Sequence, residues 1–234
     1  RWKALEPLFE GRDPKDEIRV WVPGCSSGEE AYSIAMLLAQ IAEDRAVPFN
    51  VQIFATDIDE QMLQIARDGS YPLSALVDIP YELRERYAIP HADRFTISPE
   101  IRDAVRFSPH SLVKDPPFSR IDLVSCRNLL IYFDDKLQQS VFPLFHYALR
   151  PGGLLFLGPS ESVGRFEHLF PAEDQQARLF RRSPGAPSYP IDLPGSYRAS
   201  EPRGERRDDR RDHPRAEDAA ARRLIERYAP ASMV

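Results

Sequence analysis

A chain of 234 residues, 42% of them hydrophobic, is long enough for one domain with a well-buried core and additional segments. Its formal net charge of −5 lacks the basic excess of a nucleic-acid binder, its two cysteines, Cys25 and Cys126, suit neither a disulfide scaffold nor a Cys-rich zinc site, and no apolar run reaches the ~18 residues of a membrane span. The expectation is a cytoplasmic protein without nucleic acid or membrane insertion; the opening Arg1 in place of Met points to a longer parent with material upstream.

From Ile18 to Arg182 short β-rich apolar runs alternate with stretches of helical period, the pattern of parallel strands joined by crossover helices. Strands are predicted at Ile18 to Val22, Val51 to Thr56, Val105 to Ser108, Ile121 to Cys126 and Leu154 to Gly158, each nearly continuously apolar as a sheet covered on both faces requires. Helices are predicted at Glu29 to Ala42, where Ile34, Leu37, Leu38 and Ile41 share a face, and at Asp134 to Leu149, where Pro143 predicts a kink or an early break. Between Tyr71 and Arg102 the alternation stops in a segment with four prolines, too long for an ordinary connection, and a small inserted subdomain is expected there. After residue 182 the composition turns to Pro, Gly, Ser and Arg mixed with acids, so residues 183–217 are expected to be a disordered linker, followed over 218–234 by a short helix around Leu224 and Ile225 that leads to an absent downstream domain.

Polar residues gather where the apolar strands end, which is where open α/β sheets bind ligands. The first strand runs into PGCSSGEE, with Gly24 and Gly28 bracketing a tight loop and Glu29 opening a helix. Neither the dinucleotide fingerprint G-x-G-x-x-G nor a P-loop is present, which disfavours a nicotinamide-dependent oxidoreductase and phosphate ligands. Glu29 suits a ligand with an ammonium or sulfonium charge, or else it only favours the helix dipole. Asp57, at the end of the second strand in FATDIDE, is read as an acceptor for ribose hydroxyls, and Asp59 as the N-cap of the next helix. The fourth strand ends in Arg127 and Asn128, which either contact ligand and substrate or stabilise the loop; Tyr132 and Phe133 line the pocket or staple the following helix. His110, His146 and His168 lack metal-ligand spacing, no G-x-S-x-G elbow occurs, and neither cysteine has an evident histidine partner.

Four runs in order, PGCSSGEEAYSIAMLL, IFATDIDEQMLQIARDGSYP, FSRIDLVSCRNLLIYFDDKLQ and FHYALRPGGLLFLGPSES, resemble the chemotaxis-receptor glutamate methyltransferase (CheR) family over roughly Arg19 to Arg182. The resemblance implies a class I methyltransferase: a Rossmann-like α/β sheet with a small inserted β-subdomain, in a domain over residues 1–182 from which the family's N-terminal helical domain is missing. It implies S-adenosylmethionine as methyl donor, S-adenosylhomocysteine as product, and glutamates on the cytoplasmic helices of a chemoreceptor or similar signalling protein as acceptors. By position Gly24, Gly28, Glu29, Asp57, Arg127 and Asn128 belong to the cofactor site, with Arg127 and Tyr132 expected to place the acceptor carboxylate. Ser111 and Leu112 stand where the family has an Asn-Leu pair that touches the cofactor, and so are counted to the cofactor site, and RERYAIPHADRFTI has no glycine where some members carry a Gly-x-Gly loop that docks a receptor pentapeptide. The tail, LFRR and then AARRLIERYAPASMV, resembles members fused to a methylesterase upstream and PAS and kinase modules downstream. A non-catalytic module that senses S-adenosylmethionine or S-adenosylhomocysteine is the alternative function.

Overall fold

The structure is a computed structural model that describes residues 5–13 and 15–185. Chain order runs β1 (Ile18–Pro23), α1 (Glu29–Asp44), β2 (Val51–Asp57), α2 (Glu60–Asp68), β3 (Ser70–Pro72), α3 (Tyr81–Tyr87), β4 (Ala88–Pro90), β5 (Arg94–Ile97), α4 (Pro99–Asp103), β6 (Val105–Pro109), β7 (Ile121–Cys126), α5 (Asp135–Ala148), β8 (Leu149–Leu157), β9 (Ala172–Asp174) and β10 (Leu179–Arg181). The expected linker at 183–217 and the helix at 218–234 lie outside the described residues, apart from the linker's first three positions.

Seven strands form one sheet in the order β6-β2-β1-β7-β8-β10-β9. The first five in that order pair in parallel and β10 and β9 run antiparallel at one side. This is the expected Rossmann-like architecture. The chain winds outward from β1 through β2 to β6, then returns to β7 on β1's other side, so the topological switch point falls between β1 and β7. Alternation along β1 sends Val20 and Val22 into one core with Ile34, Leu38 and Ile53, and Trp21 into the other with Val124, Phe142 and Phe145. Every residue of β7 is buried, Asp122 and Ser125 included, as expected of a central parallel strand covered on both faces. Trp21 also donates its indole N–H to Thr56 Oγ1 at 3.0 Å, satisfying two buried polar groups across β1 and β2.

The interrupted segment folds as a three-stranded antiparallel sheet, β3-β5-β4, with α3 beside it. Tyr71, Leu83, Tyr87, Phe95, Ile97 and Ile101 are its buried residues and join the core under α1. Its prolines sit at boundaries: Pro72 and Pro90 end strands, Pro80 precedes α3, and Pro99 opens α4.

Two expectations need correction. Pro143 does not end α5, which runs on to Ala148. The carbonyl that loses its partner belongs to Gln139, an exposed residue, while the proline ring packs into the core. The last parallel strand starts at Leu149 rather than Leu154, because the Arg-Pro-Gly-Gly run is a bulge within it: Ile121 pairs with Leu149, but Leu123 pairs with Leu154. Gly153 is required there, since a Cβ would stand 3.0 Å from the Arg150 carbonyl oxygen.

Candidate functional site

The loop between β1 and α1 is folded against the end of β2 by one carboxylate. Asp57 accepts the Ser26 N–H at Oδ2 (2.8 Å) and the Asp59 N–H at Oδ1 (3.0 Å), while Cys25 N–H donates to the Thr56 carbonyl at 3.0 Å. Asp59 is the N-cap of α2, accepting from Gln61 and Met62, as its place in the sequence predicts. The two loop glycines differ in what they serve. Gly24 borders a cleft. Gly28, at φ +92°, lies at a helix–strand contact where a Cβ would stand 2.9 Å from Ala66 Cβ and 3.0 Å from the Phe107 ring. Burial, reinforced by the Asp57 charge, pushes the Cys25 thiol up to about 12, so this cysteine packs as a neutral group.

A cleft of about 140 Å³ opens beyond the carboxyl ends of β1, β2 and β6, with Gly24, Asp57, Ser111 and Leu112 in its walls. Ile58, Val113, Leu129 and Phe133 make the rest of it largely apolar. The wall after β6 is built by Asp115, which accepts the Ser111 N–H at 2.7 Å, and by Ser111 Oγ, which accepts the Lys114 N–H at 3.2 Å. His110 N–H ties this loop to the Asp57 carbonyl at 3.0 Å. Gly24, Asp57 and the Ser111–Leu112 pair, from three stretches far apart in sequence, thus share one concavity.

Beside the cleft, at the end of β7, stand Arg127 and Asn128. Arg127 lies with its guanidinium 5.0 Å from the Phe156 ring centroid and Nη1 3.9 Å from Glu30 Oε2. Its buried Nε has no hydrogen-bond partner, so the side chain has donors to spare. Glu30 also accepts from Ser125 Oγ at 2.7 Å, and burial raises its carboxyl above the ordinary range against the opposing pull of Ser125 and Arg127. Asn128 holds φ +58°, and its N–H, with those of Leu130 and Gly158, donates to the buried carboxylate of Glu161. Leu129 leans across to Gly24, its Cδ2 about 3.0 Å from where a Cβ would be, and so joins this loop to the cleft wall.

Of the sequence-predicted residues, Gly24, Asp57, Ser111 and Leu112 meet in the cleft, and Arg127 and Asn128 form the adjoining loop. Gly28 lies behind it in the packing. Glu29 is exposed and accepts from Ser27 Oγ at 2.7 Å; the acid that meets Arg127 is its neighbour Glu30, one step of ~100° around the helix. Tyr132 is 71% exposed, so it staples nothing, while Phe133 lines the cleft. Sequence reasoning missed Glu30 and Glu161. The doubled acid of GEE was visible, but only helix phase separates the pair; in GPSES nothing announces that Glu161 turns inward. Among the described residues no group of three or more His, Cys, Asp or Glu side chains is arranged to hold a metal, and no helix is long and apolar enough to cross a membrane.

With this geometry in view, comparisons with known proteins converge. Residues 2–179 match the model of the CheR methyltransferase SAM-binding domain. An uncharacterised 104.1 kDa protein of Rhodobacter capsulatus is 37% identical over 207 residues, 88% of this chain and 22% of that protein. The chemotaxis protein methyltransferase of Borreliella burgdorferi is 38% identical over 162 residues, 67% of this chain and 57% of the relative. Chemotaxis protein methyltransferase 2 of Vibrio cholerae is 35% identical over 187 residues, 78% of this chain and 62% of the relative. The chain therefore spans 22% to 62% of the length of these curated relatives.

Proposed function

The chain belongs to the CheR methyltransferase SAM-binding domain family, and from that premise we propose that it binds S-adenosylmethionine in the cleft at the switch point and directs methyl transfer to glutamate side chains of chemoreceptor-type signalling proteins. The observation that carries the reading is the meeting of Gly24, Asp57, Ser111 and Leu112 in one cleft beside the Glu30–Arg127 pair.

The residues fit this cofactor. Each Asp57 oxygen accepts one backbone N–H and keeps a further lone pair for a ribose hydroxyl. The apolar wall of Ile58, Leu112, Val113 and Phe133 suits a flat adenine ring, and the largely hydrophobic lining with few polar groups is typical of cofactor sites. Glu30 supplies the negative charge suited to an ammonium group, and in this reading it takes over the part expected of Glu29.

When bound, S-adenosylmethionine supplies an electrophilic methyl group on a sulfonium. The acceptor glutamate is ionised near neutral pH, so the chain needs no strong general base. Its task is to hold and desolvate the carboxylate, and orientation of this kind is worth up to ~7–11 kcal/mol in favourable cases. Arg127, with spare guanidinium donors, is assigned to the carboxylate, and the exposed Tyr132, next in sequence to cleft-lining Phe133, to its outer edge. Asn128 is assigned to the cofactor side of the same turn. The cytoplasmic setting, and the fused methylesterase, PAS and kinase modules suggested by the tail, belong to this proposal too.

Calorimetric titration with S-adenosylmethionine and S-adenosylhomocysteine tests the cofactor, with Asp57→Ala as control and NAD as competitor. Binding that Asp57→Ala abolishes and NAD does not mimic supports it; no binding sinks it. Transfer of labelled methyl to receptor glutamates tests the reaction. Binding with a conformational response but no transfer would favour a sensor in place of an enzyme.

A further inference from the structure

Glu161 is 5% exposed and forms no ion pair among the described residues. Its partners are backbone amides from two separate loops. Oε1 accepts the Leu130 N–H at 2.8 Å, and Oε2 accepts Gly158 at 2.7 Å and Asn128 at 3.1 Å. A carboxylate, with acceptor sites only, is the side chain that satisfies three converging donors. Glu30 stands close by: burial first, and then the Glu161 charge, raise the Glu30 carboxyl.

The clip holds a tight turn. Asn128 sits at φ +58°, in the left-handed region that asparagine enters more readily than most residues with a Cβ. Gly158 is pressed into the same contact, since a Cβ there would stand 2.6 Å from Asn128 Oδ1 and 2.7 Å from Glu161 Oε2. On either side of Asn128, Arg127 reaches Glu30 and Leu129 reaches Gly24. We propose that Glu161 is a positioning residue that, through backbone amides alone, sets the Arg127–Asn128–Leu129 turn and with it the wall of the cofactor cleft.

This inference rests on the S-adenosylmethionine reading, and a second buried carboxylate separates positioning from plain support of the fold. Asp122, 3% exposed, accepts the Arg19 N–H at 2.8 Å and pairs with Arg12 and Arg150 near the opposite end of β7. Glu161→Gln turns an amide NH2 toward at least one backbone N–H. In the full chain it should weaken S-adenosylhomocysteine binding about tenfold or more, the size expected when a buried donor is left unpaired. Amide hydrogen exchange should speed up at Asn128, Leu130 and Gly158 while β1 and β2 stay protected. Asp122→Asn should lower the melting temperature yet keep wild-type affinity. Gly158→Ala, which disturbs the clip from its other side, should repeat the binding loss if Glu161→Gln folds poorly. Wild-type affinity in both Glu161→Gln and Gly158→Ala, or an equal loss in Asp122→Asn, overturns the positioning role. If Asp57→Ala abolishes binding in the same series, the cofactor reading survives that failure; a wild-type chain that binds nothing removes both.

Discussion

Glu30 and Arg127 face each other at 3.9 Å between the first turn of α1 and the end of β7, astride the point where the sheet reverses its winding. Both are partly exposed, so the pair adds little to stability. Its value lies in holding a carboxylate and a guanidinium beside the cleft. Glu30→Gln should weaken S-adenosylhomocysteine binding by about tenfold, whereas Glu29→Gln, whose carboxylate is turned to Ser27, should stay within about twofold. Because burial raises the Glu30 carboxyl, wild-type affinity should decline on acidification from a higher pH than an ordinary glutamate would give, and Glu30→Gln should lose that slope. Titrations of the three proteins across pH check both statements; equal effects at Glu29 and Glu30 would refute the assignment.

The two loop glycines should separate folding from binding. A methyl at Gly28 meets Ala66 Cβ at 2.9 Å and the Phe107 ring at 3.0 Å, at a φ of +92°. Gly28→Ala should cost roughly 2–4 kcal/mol, as overpacking and backbone strain add. Gly24→Ala also suffers a positive φ, but it meets only the Leu129 side chain, which can swing away. It should cost less stability, about 1 kcal/mol, and more affinity, because Leu129 swings into the cleft. Urea midpoints and calorimetry on both variants decide it.

What the sequence reveals here follows from periodicity and from strand ends. Near-continuous apolar runs place four of the five parallel strands to within about a residue, and the polar residues after β1, β2, β6 and β7 mark the site because a parallel sheet brings its carboxyl ends together. The misses are orientational. Glu29 and Glu30 are adjacent in sequence, and the phase of α1 decides which one meets Arg127. Glu161 hydrogen-bonds amides 31 and 33 positions away, a relation with no local signature. The bulge in β8 hides for a similar reason: Gly152 and Gly153 mark a turn in sequence, but Gly153 sits at a crowded backbone contact in space.

Both thiols should be inert in the native state. Burial raises Cys25 to about 12 and drives Cys126 well above its ordinary value, with Asp57 near the first and Glu161 and Glu30 near the second adding to the effect. Only the thiolate reacts, so a disulfide reagent at pH 8 should modify the folded chain slowly and both cysteines rapidly in denaturant. Fast labelling of Cys25 in native protein would mean that the β1–α1 loop opens readily. Protection of that labelling by S-adenosylhomocysteine would then report the cofactor's hold on the loop.

The acid limb of stability should carry a contribution from His146. Its ring is 1% exposed, packs edge-on to Phe170 at 5.8 Å, and neither ring nitrogen has a hydrogen-bond partner. Burial, with the charges of Arg182 and His168 alongside it, lowers its pKa from 6.5 to about 4, opposed only by the backbone at Ser183. Above the unfolded value the imidazole is neutral in both states and costs nothing. As pH falls from about 6.5 to 4, the unfolded chain takes up a proton that the folded chain refuses, so stability is lost through that window. His146→Phe keeps a ring against Phe170 and removes the titration. Its urea midpoint should therefore fall less than the wild type's between pH 7 and pH 4.5, while carboxylate effects common to both proteins cancel in the comparison. Parallel curves for the two proteins would show that His146 takes up its proton without unfolding the chain.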